Sequence, residues 1–393
     1  MDAPISRFLI RRVVGAATMA ATVGAGVLVA QTAMVLPPSI AEFGRELGRI
    51  TTVRELTDGR VLVIDATERR IVVVDFVKQR FEVVGRSGQG PGEYVRPIGL
   101  QPFRGDSTIV ADGGSRRWLV LAGTTVVATL PPDDPAVAAT FAGTRYADAR
   151  GIVAGWGVEP PGPGVVDAGI SDSGLIFFVA RGRTRIDTIV RIGRTPQRFF
   201  GWTDATSGQT VFRASAAAFA TSEDFLLFPD GWLAIVHLNP YRVDWRRPDG
   251  SWVRGQALPV AAIPMTEREK AYWLERNARA ATLPPVIPPN APPEIQAAIA
   301  ASARRRFTEY PESVPPIQGM SSLPAPNGTI VIPRTPTADS RTARYDVVDR
   351  RGRLVGKLVL ERGERIVGFG KSVVYIAAED GDGLDHLRKH PWP

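Results

Sequence analysis

The sequence predicts an all-β protein: a six-bladed β-propeller of four-stranded antiparallel blades, with a helical hairpin inserted between blades 4 and 5. Three observations carry this prediction. A short pattern recurs six times along the chain, turn residues split each copy into two apolar runs, and the longest gap between copies holds a clearly helical segment. Self-similar β units of this kind are typical of propellers, whose blades stack on their neighbours.

The recurring pattern is a glycine-led turn, an apolar run, a polar corner and a second apolar run that often follows an Arg. Its six copies cover residues 58–76, 105–123, 173–193, 230–250, 327–352 and 370–390. Each pair of runs is rich in Val, Ile and aromatic residues and is split by turn residues, which predicts an antiparallel hairpin. Weaker strands flank the hairpins and give about four strands per unit, and closing six units into a ring leaves no exposed sheet edge.

The longest gap separates Gly231 from Gly328. Within it, Thr266 and Glu269 predict a capping box at the start of one helix, and Pro293 predicts the first turn of a second. The proline-rich stretch between them cannot join the two helices into one. The sequence thus predicts a helical insertion over residues 265–312, either a lid over one mouth of the ring or packing against its flank. A third interpretation is a docking surface for a partner, which predicts an exposed apolar stripe around Tyr272, Trp273 and Leu274 and fails if Trp273 is buried against a blade.

The N-terminal block differs from the rest of the chain. Within residues 1–33, Arg7, Arg11 and Arg12 precede an uncharged apolar run over residues 13–30, a pattern typical of a signal peptide and also compatible with a retained N-terminal anchor. We therefore expect an extracytoplasmic propeller, periplasmic or secreted, over residues 34–393, touching a membrane only through an uncleaved N-terminal segment. Residues near 36–50 are expected to supply the missing strand of the sixth unit.

Composition narrows the function classes. The chain has no cysteine, so neither disulfides nor thiol chemistry are available. Its net charge is +8, but the basic residues do not gather on one element with aromatics between them, and nucleic acid is not an expected partner. The densest basic cluster, residues 304–306, falls at a predicted helix end, where cations complement the helix dipole.

The stretch GRSGQGPGEY brings Gly88, Gly90, Gly92 and Glu93 together. A phosphate-binding loop would need a helix after it, and here strand-like sequence follows, so a structural turn is predicted. With the GDS-led and Arg-bearing strands that follow, this stretch resembles the six-bladed β-propeller proteins exported by many bacteria, whose blades are joined by a G-x-G-P-G-E-F/Y loop. Residues 240–250 and 365–393 are similar to the same family.

The resemblance spans about residues 38–393 and implies a fold more firmly than a reaction, so no catalytic residue comes with it. It implies that the three glycines form an inter-blade joint in which Glu93 accepts hydrogen bonds from loop N–H groups. Residues 191–200, RIGRTPQRFF, occupy the equivalent place in the third unit without the glycines.

The usual signatures of metal and nucleophile chemistry are weak. His386 and His390 are expected to be an exposed pair, and residues 379–385, EDGDGLD, fit a two-residue Asp-Gly hairpin turn better than a calcium loop. We therefore predict no metal and no cofactor. An axial metal of the kind propeller lactonases hold would need Glu, Asn and Asp from inner strands, and Asn239 is the one Asn within a blade strand pattern.

The candidate binding residues are Trp156, Trp202, His237, Asn239 and Arg242. The two tryptophans lie in Gly/Pro-rich stretches and are expected to reach a face of the ring. His237 is interpreted first as a hydrogen-bonded strand histidine and second as a side chain of the central channel. We predict a monomeric module that binds a small molecule, a glycan or a protein without catalysis. The alternative, an axial-metal hydrolase resembling a lactonase, requires at least three carboxylate, Asn or His side chains converging at one end of the channel.

Overall fold

A computed structural model describes residues 33–130, 146–148, 150–157, 167–180, 186–203, 210–214, 218–278, 287, 291–305 and 307–393. The chain divides into two units, Met1–Gln31 and Thr32–Pro393. The predicted signal peptide or anchor lies outside the described residues, apart from Ala33. Within the described ranges, neither helix is long and apolar enough to cross a bilayer.

Six small antiparallel sheets form six blades, which confirms the predicted fold class. The strands are numbered along the chain, beginning with β1 (Ala33–Met34) and β2 (Ala41–Glu42). Blade 1 contains β3 (Ile50–Glu55), β4 (Val61–Asp65), β5 (Arg70–Asp75) and β6 (Arg80–Val84). A short ladder of β7 (Arg86–Ser87) and β8 (Glu93–Tyr94) leads to blade 2, which contains β9 (Pro97–Pro102), β10 (Ser107–Asp112), β11 (Arg117–Ala122) and β12 (Thr125–Leu130).

Blade 3 has five strands: β13 (Tyr146–Ala147), β14 (Ile152–Gly157), β15 (Asp167–Ala180), β16 (Ile186–Thr203) and β17 (Thr210–Ala214). Blade 4 contains β18 (Asp224–Leu227), β19 (Leu233–Leu238), β20 (Tyr241–Arg246) and β21 (Trp252–Val253). After the pair β22 (Ile263–Pro264) and β23 (Ser313–Val314), blade 5 contains β24 (Leu323–Pro324), β25 (Ile330–Pro333), β26 (Arg344–Val348) and β27 (Leu354–Val359). The N-terminal strand β1 adds a fifth strand to this sheet, parallel to β27. Blade 6 contains β28 (Glu364–Phe369), β29 (Val373–Glu379) and β30 (Asp385–Pro391).

The N-terminal strand β2 closes the ring as the fourth strand of blade 6. It pairs antiparallel with β30, placing Ala41 opposite Lys389, which confirms the predicted contribution of residues near 36–50. At the same junction the buried carboxylate of Asp385 accepts the Ile50 N–H at 2.6 Å and pairs with Arg365. Because β2 precedes blade 1 in the chain and completes the sheet of blade 6, and because Asp385 and Arg365 of blade 6 both bond to Ile50 of blade 1, the first and last blades are joined at this junction.

The core lies between the blades, and blade 1 illustrates how the sequence builds it. All five residues of β4 are buried. Val61 and Val63 pack in one cluster with Tyr375 of blade 6, while Leu62 and Ile64 pack in another with residues of blade 2. Since side chains alternate between the two faces of a strand, the continuous apolar run in β4 follows from having a neighbouring blade on each face.

The helical insertion occupies the predicted place between blades 4 and 5. It consists of α1 (Glu267–Arg276) and α2 (Pro293–Arg305), and the antiparallel β22–β23 pair forms its base. The Thr266 hydroxyl caps α1 by accepting the Glu269 N–H at 3.4 Å. Only this half of the predicted capping box forms, because the buried Glu269 carboxylate instead accepts the Ala338 N–H at 3.0 and 3.2 Å.

The two aromatic side chains of α1 are largely covered, whereas Leu274 is 39% exposed. Tyr272 is buried, and Trp273 is half-buried with its ring 4.2 Å from that of Phe219, in the segment before β18. Trp273 also packs in a cluster with Val314. Of the three residues of the exposed stripe that the partner-docking interpretation requires, only Leu274 is exposed.

The glycine-rich stretch forms the joint between blades 1 and 2, from the end of β6 to the start of β9. Gly88 and Gly92 have φ angles of 154° and 75°. The Glu93 carboxylate lies inside the loop, where it accepts the Gly90 N–H at 2.7 Å and pairs with Arg86 at 2.6 Å. Arg117 of β11 closes the loop from blade 2 by donating to the carbonyl oxygens of Gln89 and Glu93 at 2.8 and 2.7 Å.

Two local predictions need correction. Residues 191–200, predicted to be an inter-blade joint, lie inside β16, which pairs with β15 and then β17, so they are part of blade 3. Residues 380–384 do form a hairpin turn between β29 and β30, but the turn is longer than two residues. Its Asp380 N–H donates to Leu384 O at 2.9 Å, and Gly383 has a φ of 79°.

Candidate functional site

A cavity of about 920 Å³ opens where blades 3, 4 and 5 meet the base of the helical insertion. We call it the main compartment. Five chain segments provide its walls: residues 193–195 within β16 of blade 3, residues 221–223 before β18, the β19–β20 turn, the connections around the β22–β23 pair, and residues 334–335 after β25. A side compartment of about 310 Å³ adjoins it, and both are lined by Arg194, Thr221, Pro315 and Thr335.

Proline explains why this part of the ring is open. Pro311, Pro315 and Pro316 line the cavity on either side of the two-residue strand β23. A proline has no N–H to donate to a ladder, so these segments cannot extend the β22–β23 pair into a sheet that would fill the space. On the opposite wall the β19–β20 turn contains a cis Asn239–Pro240 peptide bond.

A charged network centred on His237 supports the wall formed by blade 4. The His237 ring lies between two carboxylates, with Nδ1 2.9 Å from Glu223 Oε1 and Nε2 3.1 Å from Asp244 Oδ2. Arg242 continues the network by donating to Asp244 at 3.1 Å.

The two carboxylates of this network are held ionised. Burial opposes ionisation of Glu223, but hydrogen bonds from His237 and from the Gly193 N–H outweigh it and lower the pKa of Glu223. Burial acts in the same way on Asp244, and the hydrogen bonds from Arg242 and the Gly255 N–H likewise lower its pKa. Carboxylates stabilised in this way are weak proton acceptors.

A second polar cluster supports the wall formed by blade 5. The Tyr241 hydroxyl donates to the buried Asp346 carboxylate at 2.9 Å, and Arg334 donates to the same carboxylate at 3.0 Å. Arg334 also donates to Pro316 O at 2.8 Å and lies over the Tyr241 ring, 5.4 Å from its centroid. Burial, followed by the Asp346 charge, raises the pKa of Tyr241 well above its usual value, so its hydroxyl keeps its proton.

The side compartment is more aromatic. Phe219 and Trp273 form part of its wall, with Ile317 and Met320 nearby. Phe219 and Met320 have φ angles of 53° and 66°, in the left-handed region that bulky residues seldom occupy. Thr335 is buried, and its hydroxyl has no hydrogen-bond partner among the described residues.

The central channel has a different character. A cavity of about 110 Å³ is lined by the inner strands of blades 1, 2, 4, 5 and 6, where Val53, Leu100, Leu227, Leu323 and Val367 predominate. Its cation, Arg54, donates to Thr108 at 2.5 Å. The converging carboxylate, Asn and His side chains that the axial-metal alternative requires are not among the described residues that line this cavity.

One group of three metal-ligating side chains occurs in the described residues, and it lies away from the axis. Glu46, Asp380 and His386 bring their ligand atoms within 4.8 Å of one another beside the β29–β30 turn. The predicted exposed pair is half-buried instead: His386 Nε2 contacts Asp380 at 3.0 Å, and His390 Nδ1 contacts Pro37 O at 3.0 Å.

The predicted binding residues divide into two groups. Asn239 lines the main compartment, and His237 and Arg242 belong to the network behind its wall, so the first interpretation of His237 as a hydrogen-bonded strand residue agrees with its contacts. Trp202 does not reach a face; it is buried with Ala291 and Ile295 of the insertion. Trp156 lies in strand β14 opposite Ile176, not in an irregular segment, and its side chain lies outside the described residues.

Sequence reasoning missed five polar or aromatic residues of the cavity wall: Arg194, Glu223, Tyr241, Arg334 and Thr335. They come from three blades and share no motif. The only feature of the sequence that indicates this cavity is the long gap between the fourth and fifth units. That gap predicts that the joint between these blades is much longer than the joint between blades 1 and 2.

No protein-family model matches the sequence, and no curated protein matches it. Solved structures with a similar fold include a protein provisionally named a gluconolactonase, at 10% identity and a TM-score of 0.43, covering 91% of this chain and 94% of that one. A calcium-binding protein, regucalcin, from Agrobacterium tumefaciens gives 11% identity and a TM-score of 0.35, with 92% and 97% covered. A catalytically inactive virginiamycin B lyase from Staphylococcus aureus, solved with quinupristin, gives 9% identity and a TM-score of 0.36. The match covers 89% of this chain and 99% of that one. At such values the activities of those proteins say nothing about this one.

Proposed function

We propose that this six-bladed propeller is an exported, monomeric binding module that holds a small organic ligand in the main and side compartments without transforming it. The main compartment carries the proposal. Its volume of about 920 Å³ falls within the range of ligand sites, and its walls combine apolar side chains with a few oriented polar groups. Export rests on the basic residues and the apolar run at the N-terminus.

The bonding of the polar groups favours binding over catalysis. A general base needs a free lone pair near the reacting atom. Both nitrogens of His237 already contact carboxylates, and the low pKa values of Glu223 and Asp244 make them poor bases. Tyr241 and Arg334 are likewise bonded to Asp346. Groups fixed in this way provide a rigid, preorganised surface for a ligand.

A ligand screen on the purified full-length protein tests the proposal. Thermal unfolding would be followed with small organic acids, sugars and short peptides, and a ligand at 100 times its Kd should stabilise the fold by about 2.7 kcal/mol. Ala262→Trp, at an exposed position of the main compartment, should abolish the shift. Ala122→Trp, at an exposed strand end of blade 2, is the matched control and should leave the shift intact.

The alternative is an axial-metal hydrolase or lactonase. It is tested by elemental analysis of the same preparation and by lactone hydrolysis with and without chelator. Stoichiometric calcium or zinc, together with hydrolysis that the chelator removes, would contradict the binding-module proposal. Hydrolysis that survives Ala262→Trp would place the reaction outside the proposed cavity.

A further inference from the structure

We infer, building on the proposed binding function, that the ligand is an aromatic ring bearing a carboxylate. The ring lies in the side compartment, and the carboxylate binds at the wall that the side and main compartments share. Three features of the side compartment support this assignment: an aromatic surface on strained backbone, and, at the shared wall, a buried guanidinium and a buried hydroxyl.

The aromatic surface consists of Phe219 and Trp273, whose rings lie 4.2 Å apart at an angle of 31°. Met320 lines the same compartment, and a thioether makes favourable contacts with aromatic rings. Phe219 and Met320 both have positive φ angles, whereas a residue of either type would be unstrained in extended backbone. Strain of this kind costs about 1–3 kcal/mol and tends to occur where side chains are held for a ligand.

The polar end of the compartment is formed by Arg194 and Thr335, which line both compartments. Arg194 is 8% exposed; burial lowers the pKa of its guanidinium, and the charge of Asp172 partly offsets this effect. A guanidinium binds a carboxylate through two parallel hydrogen bonds, and a cation with little water around it gains most from such a pair.

Thr335 is 3% exposed, and within the described parts of the chain nothing hydrogen-bonds to its hydroxyl. A buried hydroxyl without a partner costs about 1–3 kcal/mol. A carboxylate oxygen that reached this hydroxyl would remove that cost, so the site gains from an acceptor on the ligand.

The volume of the side compartment limits the size of the ligand. About 310 Å³ lies at the lower end of the range for ligand sites and suits a single substituted ring. A sugar would need polar partners on every side, whereas Phe219, Pro315, Ile317 and Met320 present apolar surface. A larger ligand can extend from the shared wall into the main compartment.

Phenylacetate is the probe ligand, and two related compounds separate the contribution of its charge from that of its aromatic ring. Phenylacetamide keeps the shape and loses the charge, and cyclohexylacetate keeps the charge and loses the aromatic ring. Titrations of the full-length protein followed by ligand-observed NMR should give a Kd on the order of 0.1–1 mM for phenylacetate. We expect the amide to bind at least ten-fold more weakly and the cyclohexyl acid about three-fold more weakly. Equal affinity of the amide and the acid would overturn the inference.

Two substitutions test whether the ligand carboxylate binds to Arg194 and Thr335. Arg194→Gln should weaken phenylacetate binding more than ten-fold. Thr335→Val should weaken it about three- to ten-fold while leaving thermal stability unchanged or higher, because it removes the unpaired hydroxyl at constant shape. Thr125→Val, at an exposed position of blade 2, is the matched control and should bind as the parent does.

If both cavity variants bind phenylacetate as tightly as the parent, the assignment is wrong. If a compound of another class binds and Ala262→Trp blocks it, the proposed binding function stands and the assigned ligand class does not. If no compound binds at all, both fail together.

Discussion

The joint between blades 1 and 2 and the joint between blades 4 and 5 occupy equivalent positions in the ring, yet one is filled and the other is open. Each connects the outer strand of one blade to the inner strand of the next. The first, residues 85–96, folds around its own Glu93 carboxylate. The second, residues 254–322, carries the helical insertion and helps to enclose the two compartments.

The difference lies in how each joint satisfies its polar groups. In the first joint a side chain of the loop takes the central space, and Arg117 binds the carbonyl oxygens around it. In the second joint the charged groups bind one another within the walls, as in the pairs Glu223–His237 and Arg334–Asp346. The main compartment lies between those walls. A glycine-rich joint therefore closes on itself, whereas a long proline-containing joint makes a cavity.

The largest effect is expected from Gly88→Ala in the filled joint. Gly88 has a φ of 154°, and a Cβ built there would lie 2.0 Å from Glu93 Oε2. Strained backbone and the displaced carboxylate together should lower the free energy of unfolding by about 3 kcal/mol. Urea denaturation followed by tryptophan fluorescence measures the change.

Gly381→Ala is the control for that change. It lies in the β29–β30 turn, and a Cβ there would meet nothing within 4 Å. We expect it to alter stability by less than about 0.5 kcal/mol. If the two substitutions lower the free energy of unfolding equally, the Glu93 carboxylate inside the first joint does not contribute to the stability of the protein.

The open joint is tested by a substitution at His237, which should lower the free energy of unfolding somewhat less than Gly88→Ala does. His237→Gln removes the imidazole whose two nitrogens contact Glu223 and Asp244 on either side of the ring. Leaving two half-buried carboxylates without those contacts should lower the free energy of unfolding by about 2 kcal/mol. His386→Gln is the comparison: His386 is more exposed and makes its short contact to Asp380 alone, so it should cost less than about 1 kcal/mol.

The same network predicts a pH dependence. Glu223 and Asp244 have lowered pKa values in the folded protein, so their ionised forms stabilise the fold above their unfolded values of about 4.3 and 3.9. That contribution should be lost as pH falls through the folded values. Urea midpoints of the parent and of Glu223→Gln should therefore converge as pH is lowered from 6 to 3. A difference that stays constant over this range would mean that the charge of Glu223 is not what matters.

Features encoded in contiguous residues could be predicted from the sequence. The six hairpins, the bounds of the helical insertion and the position of the Gly88–Glu93 joint follow from local patterns of apolar residues, caps and glycines. The closing strand near Ala41 could be predicted because the last unit lacked one strand. The family resemblance and export remain predictions.

The compartments could not be predicted, because their walls come from segments far apart in the chain. Arg194 and Thr335 meet at one wall although 140 residues separate them. The prediction for Trp202 is wrong for a related reason. Its neighbours in the sequence predict an exposed loop, but the fold brings Ala291 and Ile295 of the insertion over its side chain.

The helical insertion provides the last and smallest test of the open joint. Thr266→Ala removes the hydroxyl that accepts the Glu269 N–H at the start of α1. Loss of an N-cap costs about 1 kcal/mol, and here it should loosen the end of α1 that the Glu269 carboxylate ties to Ala338. Hydrogen exchange should accelerate in the first turn of α1 and in the 335–340 segment, while blades 1 and 2 keep their protection. Thr308→Ala, at an exposed position after α2, should change neither. Faster exchange confined to α1 would show that the cap supports the helix without holding the insertion against blade 5.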